Sequence, residues 1–304
     1  MLHMLLRRVL RTIPVLLGIS ALVFFSLRLI PGDPALIYAG DQAPGELVEK
    51  IRSDLGLNKP LVTQYAIFLQ RAVGGDLGTS IRTGQPVAAE LARRYPLTLV
   101  LAAAAILFSI AVGLPLGILA AVRKGQWVDK AGVVVALLGV SAPTFLVGMI
   151  LQLALAVRLG WLPVAGSATW QHLLLPAVSL GVFSVANVTR LLRASLLEVF
   201  GEDFVRTARA KGVPETFVVL RHALKPAFIP TVTIIGLQFG AMLGASVFAE
   251  AVFAWPGVGR YLVQAIAFRD YPVVQGAVLL LAVTYVAVNA AVDAFYGWLD
   301  PRMR

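Results

Sequence analysis

Apolar residues in this chain gather in long unbroken runs separated by short charged stretches. Five runs approach or exceed the roughly 20 residues that a helix needs to cross about 30 Å of hydrocarbon, and none contains a charge. They are Leu97 to Val122, Ala131 to Val157, Leu173 to Val188, Ala227 to Ala249 and Val273 to Val292. The run from Leu173 is short and contains Pro176, which leaves its ends open. A sixth run, Thr12 to Ile30, carries Arg28 near its far end, where a long side chain can snorkel to the interface. The pattern predicts an all-α integral membrane protein with six transmembrane helices.

Two stretches break the pattern. The first, residues 31–95, is a long loop with two amphipathic helical repeats. Leu47, Val48, Ile51 and Leu55 share one face of a segment closed by Gly56. Leu61, Val62, Tyr65, Phe68, Leu69 and Val73 share a face of the next, which starts after Pro60 and stops at Gly74-Gly75. The plain expectation is a small cap packed on the span ends, and the sharper one is a docking surface. The second stretch, Glu202 to Pro226, is a charged island between two spans. It reads as two helices joined by a tight turn: Asp203 charges the start of the first, Gly212 suits a left-handed stop, and Pro214 fits the first turn of the second, which ends near His222 to Pro226. Phe204, Val205 and Ala208 offer one small apolar face, while Arg206, Arg209 and Lys211 offer charge. The chain therefore divides into 1–30 (amino terminus and first span), 31–95 (loop domain) and 96–304 (a five-helix core with a charged loop at 190–227).

Composition agrees with the bilayer: 59% of residues are hydrophobic and only 14% are charged. Arg7, Arg8 and Arg11 resemble the basic start of a cleaved signal peptide. The apolar run behind them exceeds the roughly 7 to 15 residues of a signal core, so it is read as a span. Lysine and arginine set the orientation. An internal amino terminus puts fifteen of the 26 basic residues on the cytoplasmic side in four short segments, whereas the 31–95 loop balances seven acidic against seven basic residues. Both termini are expected in the cytoplasm. The net charge of +10 follows from this topology and not from a basic stripe with interleaved aromatics, so no nucleic acid partner is expected. The absence of cysteine excludes disulfides and thiolate chemistry, and His3, His172 and His222 are too scattered for a metal site. No phosphate loop of the G-x-x-x-x-G-K-[ST] type and no hydrolytic constellation is present, so no catalytic residues, metal or bound cofactor are expected.

The island resembles the E-A-A-x-x-x-G-(x)9-I-x-L-P loop of binding-protein-dependent ABC-transporter permeases. Aligned on Gly212, the E-A-A positions fall on Arg206, Thr207 and Ala208; Leu224 matches, His222 stands at the isoleucine, and Pro226 comes one residue late. The wording R-T-A-R-A-K-G is similar to the dipeptide and oligopeptide branch. So are the opening RRVLRTIPVLLGISALVFFSLRLIPGDPA, GDLGTSIRTGQPV at Gly75 to Val87, SAPTFLVG at Ser141 to Gly148, VFAWPGVGRYLVQAIAFRDYPVVQG at Val252 to Gly276, and the ending LDPRMR. Together they cover nearly the whole chain, and the long first loop resembles the first of two permease subunits.

The resemblance implies a type I importer permease of a bacterial or archaeal inner membrane that carries peptides along a path shared with a second permease. It implies two cytoplasmic ATPases, which hydrolyse ATP in the chain's place, and an extracytoplasmic solute-binding protein. Glu202, Asp203, Phe204, Arg206, Thr207, Ala208, Arg209, Lys211 and Gly212 would form the ATPase-coupling helix. Gln152, Asn187, Gln238, Ser246, Glu250 and Asn289 are the candidates for the path, with Ser179 and Ser184 as further polar positions. Dipeptides and oligopeptides are the first expectation; glutathione, nickel chelates and sugars are alternatives. Glu250 and Asp293 are expected near the interface, hydrated or paired with Arg260 or Arg302. Trp161, Trp170, Trp255, Tyr271, Tyr296 and Trp298 are expected as interfacial anchors, and Gly236, Gly240, Gly244 and Ala245 as close-packing positions. A membrane enzyme lacks its constellation here, and a stand-alone ion-driven carrier should bury more ionisable groups.

Overall fold

The computed structural model describes residues 2–29, 33–40, 43–54, 56–127, 129 and 142–299. Ile30, Leu55, residues 131–141, Arg302 and Arg304 lie outside them, as do the side chains of Asp293, Tyr296 and Trp298. Among the described residues all regular structure is helical, apart from a single bridge between Thr79 and Pro86.

Among the described residues, five helices are long and apolar enough to cross a membrane: Thr12–Leu29, Val87–Val122, Gln171–Val199, Glu215–Val252 and Tyr271–Val292. The sixth expected span is represented by the shorter apolar helix Thr144–Arg158, because residues 131–141 of that run are among those not described. The run expected at Leu173 to Val188 extends to Val199, so Pro176 lies in the second turn of a full-length helix, inside its hydrogen-bond ladder.

In chain order we label the helices α1 (Leu2–Leu29), α2 (Pro34–Ala39), α3 (Gly45–Asp54), α4 (Leu61–Val73), α5 (Val87–Val122), α6 (Thr144–Leu151) and α7 (Gln171–Val199). They continue with α8 (Asp203–Ala210), α9 (Glu215–Phe217), α10 (Leu224–Val252), α11 (Val258–Ala267) and α12 (Tyr271–Leu299). Wide i→i+5 turns extend α6 through Gln152–Arg158 and join α9 to α10 through Val218–Ala223.

The chain forms two compact units. One comprises residues 1–97 and 257–286. In it the two loop helices form where expected, and the second caps the first span: Phe24 packs against Tyr65 and Phe68, with ring centroids 5.2 and 5.7 Å apart. The Tyr65 hydroxyl lies 2.9 Å from Ser20 Oγ. Helix α2, absent from the sequence expectation, is started by Asp33, whose carboxylate accepts the Ala35 N–H at 2.9 Å, with Pro34 in the first turn. The Gly75 to Val87 motif folds onto the 267–271 turn. Ser80 Oγ donates to Asp270 Oδ2 at 2.5 Å, and the Arg82 guanidinium stacks 4.0 Å from the Phe268 ring centre. Tyr271 is buried in this unit and is not an interfacial anchor.

The other unit comprises residues 98–256 and 287–304. Its centre is α7, packed on α6 and α10. Gly113 and Gly117 let α5 approach α7 closely: a Cβ on either would come within about 3.1 Å of Val188 or Leu192. The same argument holds at Gly236, where a Cβ would meet Val292 at 2.5 Å, but not at Gly244, which has nothing within 4 Å. Trp255 is 4% exposed and its N–H donates to the Glu250 carbonyl, so it belongs to the interior; Trp161 and Trp170 are exposed, as anchors require.

Candidate functional site

The charged island begins with α8, whose sequence is amphipathic over only two turns. Val205 and Ala208 are buried with Val218 against Val199, Phe200 and Val213. Phe204 faces away and is exposed. The expected apolar face is thus divided: two small residues seat the helix, and the aromatic ring is left outside with Glu202, Asp203, Arg206, Thr207, Arg209 and Lys211. The separation follows from helical geometry, since positions three apart share a face and neighbours do not.

Local bonds hold this knob in one shape. Thr207 Oγ1 donates to the Asp203 carbonyl at 2.8 Å, and Arg206 lies 3.5 Å from the Asp203 carboxylate. Gly212 ends the helix at φ +74°, with its N–H donated to the Arg209 carbonyl at 3.0 Å and the Val213 N–H to the Ala208 carbonyl at 3.3 Å. Arg209 then bridges the turn, donating from Nη2 to Glu215 Oε1 at 2.6 Å and from Nε to Oε2 at 3.1 Å; this bonding holds its guanidinium pKa above the ordinary value. The second helix does not end at His222 to Pro226 as expected. It passes through the wide turn at Val218–Ala223 into α10, giving a continuous rod from Glu215 to Val252.

The connection after α5 is fixed in the same unit. Asp129 accepts from Arg193 Nε at 2.5 Å and Nη2 at 2.9 Å, and from the Gly125 N–H at 2.9 Å. These hydrogen bonds, the Arg193 one first, hold its carboxyl at about 2, against an ordinary 3.8.

The polar candidates in the spans separate into distinct settings. Asn187 and Gln238 come together, lining an open groove between α7 and α10 with Phe183, Arg190, Leu191 and Ile234. Arg190 donates to Asn187 Oδ1 at 2.9 Å, so the groove offers a guanidinium and two amides on an apolar floor. Ser246 and Glu250 are fully buried: Glu250 Oε1 accepts from Thr98 Oγ1 at 2.7 Å and from Ser246 Oγ at 3.3 Å. Interfacial hydration of Glu250 is therefore replaced by an interior carboxylate. Gln152 is used locally, donating from Nε2 to the Val164 carbonyl at 2.9 Å. Ser179 bonds back to the Pro176 carbonyl at 2.9 Å, while Ser184 Oγ and Asn289 Oδ1 are buried with no hydrogen-bond partner.

Thr98, Asp129, Arg190 and Arg193 were not singled out from the sequence for these roles. Asp129 carried a signal, as the one acid in the basic stretch RKGQWVDK. Thr98 carried none, because its meaning depends on a carboxylate about 150 residues away in the chain.

Comparison with known proteins identifies this arrangement. Residues 113–304 match the family described as "Binding-protein-dependent transport system inner membrane component", and residues 1–102 match its companion "Binding-prot-dependent transport system membrane comp, N-term". The glutathione transport system permease protein GsiC of Escherichia coli O6:H1 (strain CFT073) is 44% identical over 304 residues, covering 100% of this chain and 99% of the relative. GsiC of Salmonella choleraesuis (strain SC-B67) is 43% identical over the same span. Among solved structures, an inward-facing MetNI methionine ABC transporter aligns at a TM-score of 0.58 with 23% identity, covering 69% of this chain and 96% of that one. An amino acid ABC transporter with histidines aligns at 0.52 with 15% identity, covering 70% and 94%. At those identities the structures show the fold, that of type I importer permeases. The chain belongs to the binding-protein-dependent inner-membrane permeases of the peptide type, multi-pass subunits of ABC importers that are not themselves enzymes.

Proposed function

We propose that this permease imports small peptides, with glutathione the first candidate, as one of two permease subunits served by two ATPases and an extracytoplasmic binding protein. The carrying observation is the 44% identity to a glutathione permease across the whole chain. The charged loop 190–227 would face the cytoplasm with both termini, the 31–95 loop domain would lie outside, and α8 would sit in a groove of an ATPase. An exposed Phe204 ringed by charge, held by a rigid capped turn, suits that contact. A displacement there must move the rod from Glu215 to Val252 with it.

At its cytoplasmic end, the groove of Asn187, Arg190 and Gln238 is the favoured part of the path. A guanidinium pairs with carboxylates and the amides bond peptide groups, while the apolar floor leaves side chains unread. Specificity would then rest largely on the binding protein. The test is uptake of labelled glutathione by cells in which this subunit is the only permease of its type, with competing dipeptides and tripeptides. Saturable uptake blocked by glutathione alone supports the first candidate, and uptake blocked by general dipeptides moves the cargo to that class. Uptake that persists without ATP, or without the binding protein, would reject the reading.

A further inference from the structure

Beside the last turn of α1, within one compact unit, the chain forms a partly open cavity of about 210 Å³. Its size suits several waters or one small anion and falls below the roughly 300 Å³ of ordinary small-molecule pockets. Phe24, Phe68 and Leu77 give it apolar walls, and its polar lining includes Arg28, Gln64, Tyr271, Thr79 and Gln275.

Two of these groups are left incomplete by the protein. Arg28 donates from Nε and Nη2 to Gln64 Oε1, both at 3.1 Å, and from Nη1 to the Phe24 carbonyl at 3.1 Å. Its guanidinium carbon also lies 3.3 Å from the centre of the Phe24 ring, and among the described residues no carboxylate pairs with it. Gln64 cannot turn to help further, because its Nε2 is committed to the carbonyls of Leu57 and Lys59. Tyr271 is 8% exposed, and its hydroxyl is buried with no hydrogen-bond partner. Orphaned buried hydroxyls are uncommon in native folds. At the mouth, Arg71 and Asp76 are exposed and of opposite sign, so the interior retains the charge of Arg28.

Water could satisfy the tyrosine but would supply no counter-charge to the guanidinium. We propose that the cavity binds a phosphate-type anion, held between the Arg28 guanidinium and the Tyr271 hydroxyl. The shared chemistry is a tetrahedral oxyanion, supplied either by the headgroup of an acidic lipid or by free inorganic phosphate. Arg28 belongs to the first span and Tyr271 begins the last. The anion would therefore tie these two span ends together.

The test is thermal unfolding of the full chain in phosphate-free maltoside micelles, titrated with phosphatidylglycerol in one arm and with inorganic phosphate at constant ionic strength in the other. Stabilisation of the wild type by lipid alone assigns a headgroup site, and stabilisation by inorganic phosphate assigns a free-anion site. Tyr271→Phe should raise the half-saturating concentration roughly tenfold by removing one bond to a charged group. Arg28→Gln should abolish the response. Without ligand, Tyr271→Phe should melt no lower than the wild type, since it removes only an orphan hydroxyl, so a misfolded variant does not obscure the result. If neither titrant stabilises the wild type, or if both variants respond as the wild type does, the proposal is overturned.

Discussion

Two carboxylates at opposite ends of one helical rod, Glu215 and Glu250, are held in opposite ways. Glu215 is about half exposed and pairs with Arg209 across the turn at Gly212. Glu250 is fully buried and receives the hydroxyls of Thr98 and Ser246. A solvated ion pair contributes little to stability, commonly under about 1 kcal/mol, and can be exchanged for a partner's groups at small cost. A buried acceptor is expensive to remove, because a cavity opens and the hydrogen bonds it receives are lost. One end of the rod is built to be renegotiated with another surface and the other to stay fixed.

The comparison breaks most visibly at the buried end. Glu250→Ala should destabilise the protein by about 3 kcal/mol through the cavity and the lost bond from Thr98, seen as a lower melting temperature and reduced recovery from membranes. Glu250→Gln keeps an acceptor for Thr98 and should lose much less; equal losses in the two variants would show that the acceptor is not what matters. At the knob, Val205→Ala should cost about 2 kcal/mol, because a fully buried wedge is trimmed. Phe204→Ala, on the exposed side, should leave stability within about 0.5 kcal/mol while lowering co-purification of the ATPases.

Gly212→Asp should add about 1 kcal/mol of backbone strain at φ +74°, with nothing near the new Cβ to clash. The protein should still insert, yet uptake should be lost; normal uptake would refute the coupling assignment. The smallest effect is acid dependence at Asp129. Its carboxyl pKa is lowered by Arg193, so the pair stabilises fully above the ordinary 3.8 and the contribution is lost as pH falls towards about 2. Hydrogen exchange in residues 123–127 should therefore rise between pH 4 and about 2 in the wild type, and Asp129→Asn should remove that pH dependence.

The spans were legible because burial in lipid demands long charge-free runs, a signal that needs no tertiary information. The cap helices were legible from their repeats, and Gly212 from its place at the end of helix formers. The end of the second island helix was misjudged on account of Pro226. The wide turn at Val218–Ala223 takes the backbone out of the regular ladder just before that proline, so a missing N–H is not felt there. Glu250 was placed at the interface because its nearest neighbours in sequence end a span; its true surroundings come from Thr98, which no local pattern connects to it. Trp255 and Tyr271 were assigned to the interface on residue type, whereas the bend at Phe253–Gly257 and the start of α12 carry them inward. Helix α11 was missed because its ten residues lie in a fragment read for its resemblance and not for its periodicity.

The continuity of the helix from Glu215 to Val252 has a mechanical meaning. Thirty-eight residues at 1.5 Å each make a strut of roughly 57 Å, nearly twice the thickness of the hydrocarbon. Its soft points, the wide turn at Val218–Ala223 and the prolines 226 and 230, are all close to the knob, while the far end is clamped by Glu250. If an ATPase docks as proposed, a push on the knob would act on a lever with a compliant handle and an anchored tip, which converts a small sideways shift into a tilt of the shaft.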